Sequence, residues 1–242
     1  MAKKSLQIKV IREWILRICF EFRSSNFGFR IPITTLGPYA TSVRITGGKE
    51  ARRILKVPKG LDVRPTPDLV KQAVFNSLGN RVEGARVLEL FAGTGALSLE
   101  CLSRGAASAI CIEKSQRHAE VLKHNFNTAG FSPDALQVRV QDVFTAIAQL
   151  AEAKFQFDLI LADPPYGEKN VGRRSTSFAQ KLLDDLKLPL LLATDGLFVL
   201  GHTKRDTLSL PGIWKERKIL KHGDSVMRFF ARQNTIDNTS QE

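Results

Sequence analysis

From residue 82 onward the chain alternates short apolar runs with amphipathic stretches. Arg86–Phe91 reads as a buried strand, and residues 96–104 as the helix that follows it. The strand signal returns at Ser108–Glu113, Leu136–Val140, Phe157–Ala162 and Leu197–Gly201. Helices are expected over 115–129, between the third and fourth strands, and over 178–193. Strand and helix in alternation call for a parallel sheet with helices on both faces. The end of the chain breaks the rhythm: Lys215–Lys221 and Ser225–Arg232 flank His222-Gly223-Asp224, a hairpin signal that adds antiparallel strands. The pattern therefore predicts an α/β fold on a mostly parallel seven-stranded sheet closed by a C-terminal antiparallel hairpin, over residues 82–232, with a polar tail at 233–242.

Two segments precede this body. Residues 43–81 read as a small basic module, with short strands at Val43–Thr46 and Arg52–Val57 around Gly47-Gly48. Arg64-Pro65-Thr66-Pro67-Asp68 then opens a helix: Thr66 can cap it, Pro67 suits its first turn, and Asp68 favours its positive end. Val70, Val74 and Leu78, joined by Phe75, give that helix an apolar face. Residues 1–42 form an extension in which Ile8, Ile11, Ile15, Ile18 and Phe22 recur at helical spacing. A membrane-surface helix, a targeting peptide, a cover for the domain and non-native coding sequence all fit it. The expectation is a non-catalytic segment.

Charge sharpens this division. The net charge is +12, of which +5 lies in residues 1–42 and +6 in residues 43–81, leaving +1 for the rest. A basic front end before a nearly neutral body points to a polyanionic partner, since phosphates attract Lys and Arg and binding releases counterions. Cys19, Cys101 and Cys111 lack metal-like spacing, and the last two sit in apolar stretches, so buried thiols in a reducing compartment are expected. No apolar run reaches the roughly 18 residues of a membrane span. Lys9, Arg12, Glu13, Arg17 and Glu21 interrupt the only stretch resembling a signal peptide. A cytoplasmic protein is expected.

Two constellations carry chemistry. The first is Glu89-Leu90-Phe91-Ala92-Gly93-Thr94-Gly95 at the end of strand one. Ligands bind at the carboxyl edge of such sheets, and the dinucleotide fingerprint would need a third glycine where Ser98 stands. Nicotinamide chemistry is thereby disfavoured, and S-adenosylmethionine (SAM) in a Rossmann-like fold fits better. Glu113, ending strand two, can accept from both ribose hydroxyls. Asp142, after strand three, can reach the adenine amine, with Val143 or Phe144 packed on the ring. Glu89 is placed to accept from the ammonium of the cofactor's amino-acid part. The competing reading is that each acid only caps the next helix.

The second constellation, Asp163-Pro164-Pro165-Tyr166, follows strand four. An exocyclic base amine is a poor nucleophile because its lone pair delocalises into the ring. It needs acceptors for its hydrogens. The Asp163 carboxylate and the Pro164 carbonyl can supply two, the prolines stiffening the backbone, while Tyr166 can stack on an extruded base. A sulfonium leaving group requires no metal. Arg173-Arg174, on a loop, can contact phosphates.

These residues resemble the bacterial 16S rRNA guanine-N2 methyltransferases over about residues 43–232. The resemblance rests on Arg44-Ile45-Thr46-Gly47-Gly48, Arg52-Arg53, Arg64-Pro65-Thr66, Phe75-Asn76, Leu90 to Leu97, Ser103-Arg104-Gly105-Ala106, Glu113-Lys114 and Asp163-Pro164-Pro165-Tyr166. It implies a class I SAM-dependent methyltransferase that modifies guanine N2 in small-subunit rRNA and prefers the assembled subunit; separately, a monomer is expected. It also implies that the front module engages RNA, through Arg44, Arg52, Arg53, Arg64, Thr66 and Asn76. Glu89 departs from the family's usual aspartate, and residues 1–42 have no counterpart in the family's pattern. Two other readings stay open: an adenine-N6 methyltransferase on RNA or DNA, and a non-catalytic RNA-binding assembly factor on the same fold.

Overall fold

A computed structural model describes residues 43–58, 67–166 and 173–233. The expectations for residues 1–42, for Arg64 and Thr66, and for the tail beyond Gln233 lie outside the described residues. The order of elements is α1 (Asp68–Leu78), β1 (Arg86–Leu90), α2 (Ala96–Ser103), β2 (Ser108–Glu113), α3 (Gln116–Ala129), β3 (Leu136–Val140), α4 (Val143–Glu152), β4 (Phe157–Ala162), α5 (Phe178–Asp184), β5 (Leu192–Thr203), β6 (Trp214–His222) and β7 (Ser225–Arg232). The strands form one seven-stranded sheet in the order β3-β2-β1-β4-β5-β7-β6. The first five run parallel, and β7 pairs antiparallel with β5 and β6. Strand order reverses between β1 and β4, which is where folds of this kind open a ligand crevice.

Period-2 burial explains why both faces are covered. Val87, Leu159 and Val199 point to one side and pack with α1, α2 and the front module. Their neighbours Leu88, Ile160 and Phe198 point to the other and pack with α4, α5 and Trp214. Phe198, Trp214 and Phe230 form an aromatic cluster on that second side, with centroids 5.2–6.1 Å apart, and Trp214 Nε1 donates to the Leu183 carbonyl at 3.0 Å. Cys101 and Cys111 are free and buried.

Four features differ from the expected ones. The helix expected over 178–193 ends at Asp184, because the Asp185 side chain accepts from Lys187 N and Leu188 N and turns the chain. Strand β5 consequently starts five residues early, at Leu192. The two front-module strands reduce to one antiparallel bridge, Arg44 with Ile54. The N-cap position of α1 falls on Pro67, one residue after the expected cap Thr66, and carries no side-chain capping bond.

Polar bonds, as well as apolar contacts, dock the front module. Glu100, fully buried on α2, accepts from Thr46 N at 2.6 Å, Thr46 Oγ1 at 2.8 Å and Arg104 Nε at 2.8 Å. Lys71, also fully buried, donates to the Arg44 carbonyl and lies 3.2 Å from Asp68. Gly48 has φ +78°, and a Cβ there would fall 1.9 Å from the Ser103 carbonyl oxygen, so only glycine fits where the turn meets the end of α2. Among the described residues, no helix is long and apolar enough to cross a membrane.

Replacing Glu100→Ala leaves the Thr46 amide and the Arg104 guanidinium without their acceptor. Unfolding stability should fall by about 2–4 kcal/mol, seen as a lower urea midpoint at unchanged slope.

Candidate functional site

At the carboxyl edge, beyond the paired ends of β1 and β4, a cavity of about 690 Å³ opens between the loops. Phe91 and Gly93 line it from β1, Glu113 from β2, Asp142 and Val143 from β3, and Asp163, Pro164, Pro165 and Tyr166 from β4. The two constellations, dozens of residues apart in sequence, are walls of one space. Its volume lies within the roughly 300–1,000 Å³ usual for small-molecule and cofactor sites.

The loop after β1 holds a strained conformation: Phe91, not a glycine, has φ +57°. It is tied to the next loop by Gly93 N, which donates to Glu113 Oε2 at 2.7 Å. Glu113 Oε1 accepts from Ser115 N at 2.7 Å and lies 3.6 Å from His118 Nδ1. Each Glu113 oxygen accepts from one backbone amide and has a second lone pair, so the acid suits a pair of ribose hydroxyls. Asp142 caps α4 through Oδ1, which accepts from Phe144 N at 3.0 Å and Thr145 N at 3.3 Å. Its Oδ2 lies 3.9 Å from Lys114 Nζ. Asp142 is therefore a helix cap that also borders the cavity, so its two readings are compatible.

Glu89 sits differently. Its carboxylate is buried and accepts from Ser98 N at 2.9 Å and from the Ser98 hydroxyl, holding the first turn of α2. It is absent from the cavity wall, as are Ala92, Thr94 and Gly95, which form the loop's inner side. Burial pushes the Glu89 carboxyl up to about 7, against the lowering effect of the Ser98 bonds.

Asp163 is half-buried, Pro164 buried, and Pro165 and Tyr166 exposed. The Tyr166 hydroxyl lies 3.2 Å from Ser225 Oγ at the start of β7. Gly201, on β5, makes room for the carboxylate: a Cβ there would fall 2.4 Å from Asp163 Oδ1 and 3.1 Å from Met227 Sδ. A glycine inside a strand pattern is a sign of such close approach, so the sequence does carry a signal for this positioning role.

Other wall residues stand outside the two constellations. Phe178, at the start of α5, meets Phe91 with ring centroids 5.3 Å apart and Phe144 at 6.4 Å. With Lys114, Ser115 and His118 it completes the lining. Behind the proline pair, His202 donates from Nδ1 to the Thr203 carbonyl at 2.9 Å, and burial lowers its pKa from the ordinary histidine value.

The basic residues of the front module are unequal. Arg44 pairs with Asp68 at 2.6 Å. Arg53 pairs with Glu50 at 2.5 Å and donates to the Thr128 carbonyl at 2.7 Å. Both carry internal bonds, whereas Lys49, Arg52, Lys56 and Asn76 are exposed. Asn125 ties the module to the cavity loop, bonding Lys56 through both its N–H and its carbonyl while donating to the Thr94 carbonyl at 3.2 Å. Among the described residues, no group of three or more His, Cys, Asp or Glu could hold a metal ion.

Comparison with known proteins agrees with this geometry. The family model described as "Conserved hypothetical protein 95" matches residues 43–231. A Bacillus subtilis protein named "Putative rRNA methyltransferase YlbH" is 32% identical over 192 residues, covering 72% of this chain and 100% of that one. "Ribosomal RNA small subunit methyltransferase D" of Escherichia coli K12 is 37% identical over 124 residues, 51% of this chain and 60% of that one. Among solved structures, "Putative methyltransferase yhhF from Escherichia coli" superposes with a TM-score of 0.64 at 28% identity, over 79% of this chain and 98% of that one. The fold is that of the SAM-dependent methyltransferases.

The buried Glu89 carboxyl makes stability depend on pH. Its folded pKa of about 7 lies above its ordinary 4.5, so the folded state holds the proton more tightly, and stability falls as pH rises between those values. Glu89→Gln removes this slope. Urea unfolding should show the variant gaining on the unsubstituted protein from pH 5 to pH 7.5; a constant difference would mean that Glu89 is ionised throughout.

Proposed function

The chain belongs to the family described as conserved hypothetical protein 95, and we propose that it transfers the methyl group of SAM to an exocyclic amine of rRNA, the N2 of a guanine in the 16S rRNA of the small ribosomal subunit. The observation that carries this reading is the shared cavity: a cofactor-type acid set and Asp163-Pro164-Pro165-Tyr166 face the same space.

In this reading Glu113 accepts from the ribose hydroxyls, Asp142 and Val143 border the adenine, and Phe91 and Gly93 shape the floor under the cofactor's amino-acid part. Glu89 acts indirectly, by fixing the start of α2 and with it the glycine loop. Bound SAM supplies a methyl group on a sulfonium, a strong electrophile with a neutral leaving group. Everything else is positioning. The Asp163 carboxylate and the Pro164 carbonyl accept the two amine hydrogens and turn the nitrogen lone pair toward the donor. Tyr166 stacks on the flipped base, its ring steadied by the hydroxyl contact with Ser225. Nitrogen then gains one methyl and releases one proton, for which the Asp163 carboxylate is the nearest acceptor in this arrangement. RNA reaches the site over the front module, where Lys49, Arg52 and Lys56 are exposed. Such an enzyme would act in the cytoplasm, where small subunits are made.

Asp163→Ala should lower methyl transfer by at least about 100-fold while leaving SAM affinity unchanged. The assay is labelled transfer to unmodified small subunits, naked rRNA and duplex DNA, followed by digestion to nucleosides. N2-methylguanosine supports the proposal; N6-methyladenine would retain the Asp163 chemistry and replace the acceptor; no transfer with SAM bound would favour the RNA-binding scaffold. Gly201→Ala should cost about 10–100-fold in kcat, because the new methyl displaces the Asp163 carboxylate, with SAM affinity again unchanged.

A further inference from the structure

At the opposite, amino end of the sheet lies a second cleft of about 450 Å³. Arg81, from the turn after α1, lines it together with Arg217 and Lys218 of β6 and Arg232 of β7. Its floor is apolar, formed by Leu197, Phe229 and Ala231. All four cations are exposed, and none forms an ion pair among the described residues. Among the described residues the acid on the wall is Asp195, whose backbone carbonyl accepts from Arg81 at 3.0 Å.

Strand geometry alone would not put Arg217 and Lys218 on one cleft, since consecutive residues of a strand face opposite sides. A bulge does so: the register of β6 on β7 shifts between Glu216 and Lys218, making Arg217 the extra residue. Charge is concentrated here more than the sequence halves reveal. Residues 214–232 hold six Lys and Arg against Glu216 and Asp224, a net +4 inside a body that is nearly neutral overall.

We propose that this cleft is a second nucleic-acid contact, binding backbone phosphates of the RNA substrate. The inference rests on the rRNA reading above and extends it. The cleft lies roughly 20 Å from Asp163, the span of β5 between Asp195 and Gly201. A single extruded nucleotide cannot reach both. A folded RNA or an assembled subunit can, so the cleft favours such a substrate over a short strand. Guanidinium groups suit it, because their forked donors match phosphate oxygens.

The test is equilibrium binding of the full chain to unmodified small subunits over a range of salt, for the unsubstituted protein, Arg217→Glu/Arg232→Glu, and the milder Arg217→Gln/Arg232→Gln. Both variants should bind at least 10-fold more weakly, and the slope of log affinity against log salt should become shallower by about 1 for each phosphate no longer engaged. SAM affinity, the far-ultraviolet circular dichroism and kcat at saturating subunit should be unchanged. Unaltered affinity and salt slope in both variants would overturn the proposal and leave these charges as protection of an exposed edge strand. If the unsubstituted protein binds subunits without methylating them and the variants still bind more weakly, the cleft stands and the proposed reaction falls. If methylation of the subunit proceeds with the same KM in all three proteins, the reaction stands and the cleft falls.

Discussion

A parallel sheet that is apolar on both faces must be covered on both, and that requirement organises the molecule. Strands β1, β4 and β5 carry large aliphatic or aromatic side chains at successive positions, so neither side of the sheet can face water. One side is closed by α4, α5 and Trp214. The other is closed by α1, α2 and the front module, whose Val43, Ile45 and Leu55 are buried. The front module is thus a structural lid on the sheet as well as a basic surface. Connections made over these faces bring the carboxyl ends of the parallel strands to one edge, and the loops that leave there have no other place to meet.

The polar groups inside this arrangement have consistent roles. Glu100, Lys71 and Asn125 are buried and bonded to backbone groups of the front module, at positions where a water molecule would otherwise be needed. Asn125 also touches the glycine loop, so the basic module and the cavity loop share one amide side chain. Glu89 and Glu113, on neighbouring strands, divide the work: the former holds a helix start from beneath, the latter ties two loops together at the cavity wall. The same residue type near equivalent strand ends therefore has a different role, set by the groups each carboxylate meets and by which of them borders the cavity.

The C-terminal hairpin does more than extend the sheet. Its near end supports Tyr166 through Ser225, and Met227 packs against Gly201 beside Asp163. Its far end, through the bulge at Arg217, forms the cationic cleft with Arg81. One antiparallel element thus links the wall of the cavity to a charged surface at the opposite edge. On the proposed reading, this lets a large folded RNA be gripped at a distance from the atom that reacts.

Much of this is legible in the chain itself. Strand alternation, the glycine turn and Asp163-Pro164-Pro165-Tyr166 are local patterns, dictated by side-chain period and backbone freedom within a few residues; the sheet lies where those patterns placed it, and Phe91, Gly93 and Asp163 to Tyr166 line one cavity while Glu89, Ala92, Thr94 and Gly95 do not. The early start of β5 is hidden because Leu188–Leu192 is apolar enough for either helix or strand, and the Asp185 turn decides between them. Phe178 and His118 belong to the wall through packing between elements distant in sequence, which no spacing rule reveals. Arg44 and Arg53 read as free cations until their acidic partners are seen beside them. Sequence alone determines which groups are available and how each short segment folds. Tertiary structure decides which of those groups meet, because burial, pairing and cavity shape arise only when segments far apart in the chain come within a few ångströms.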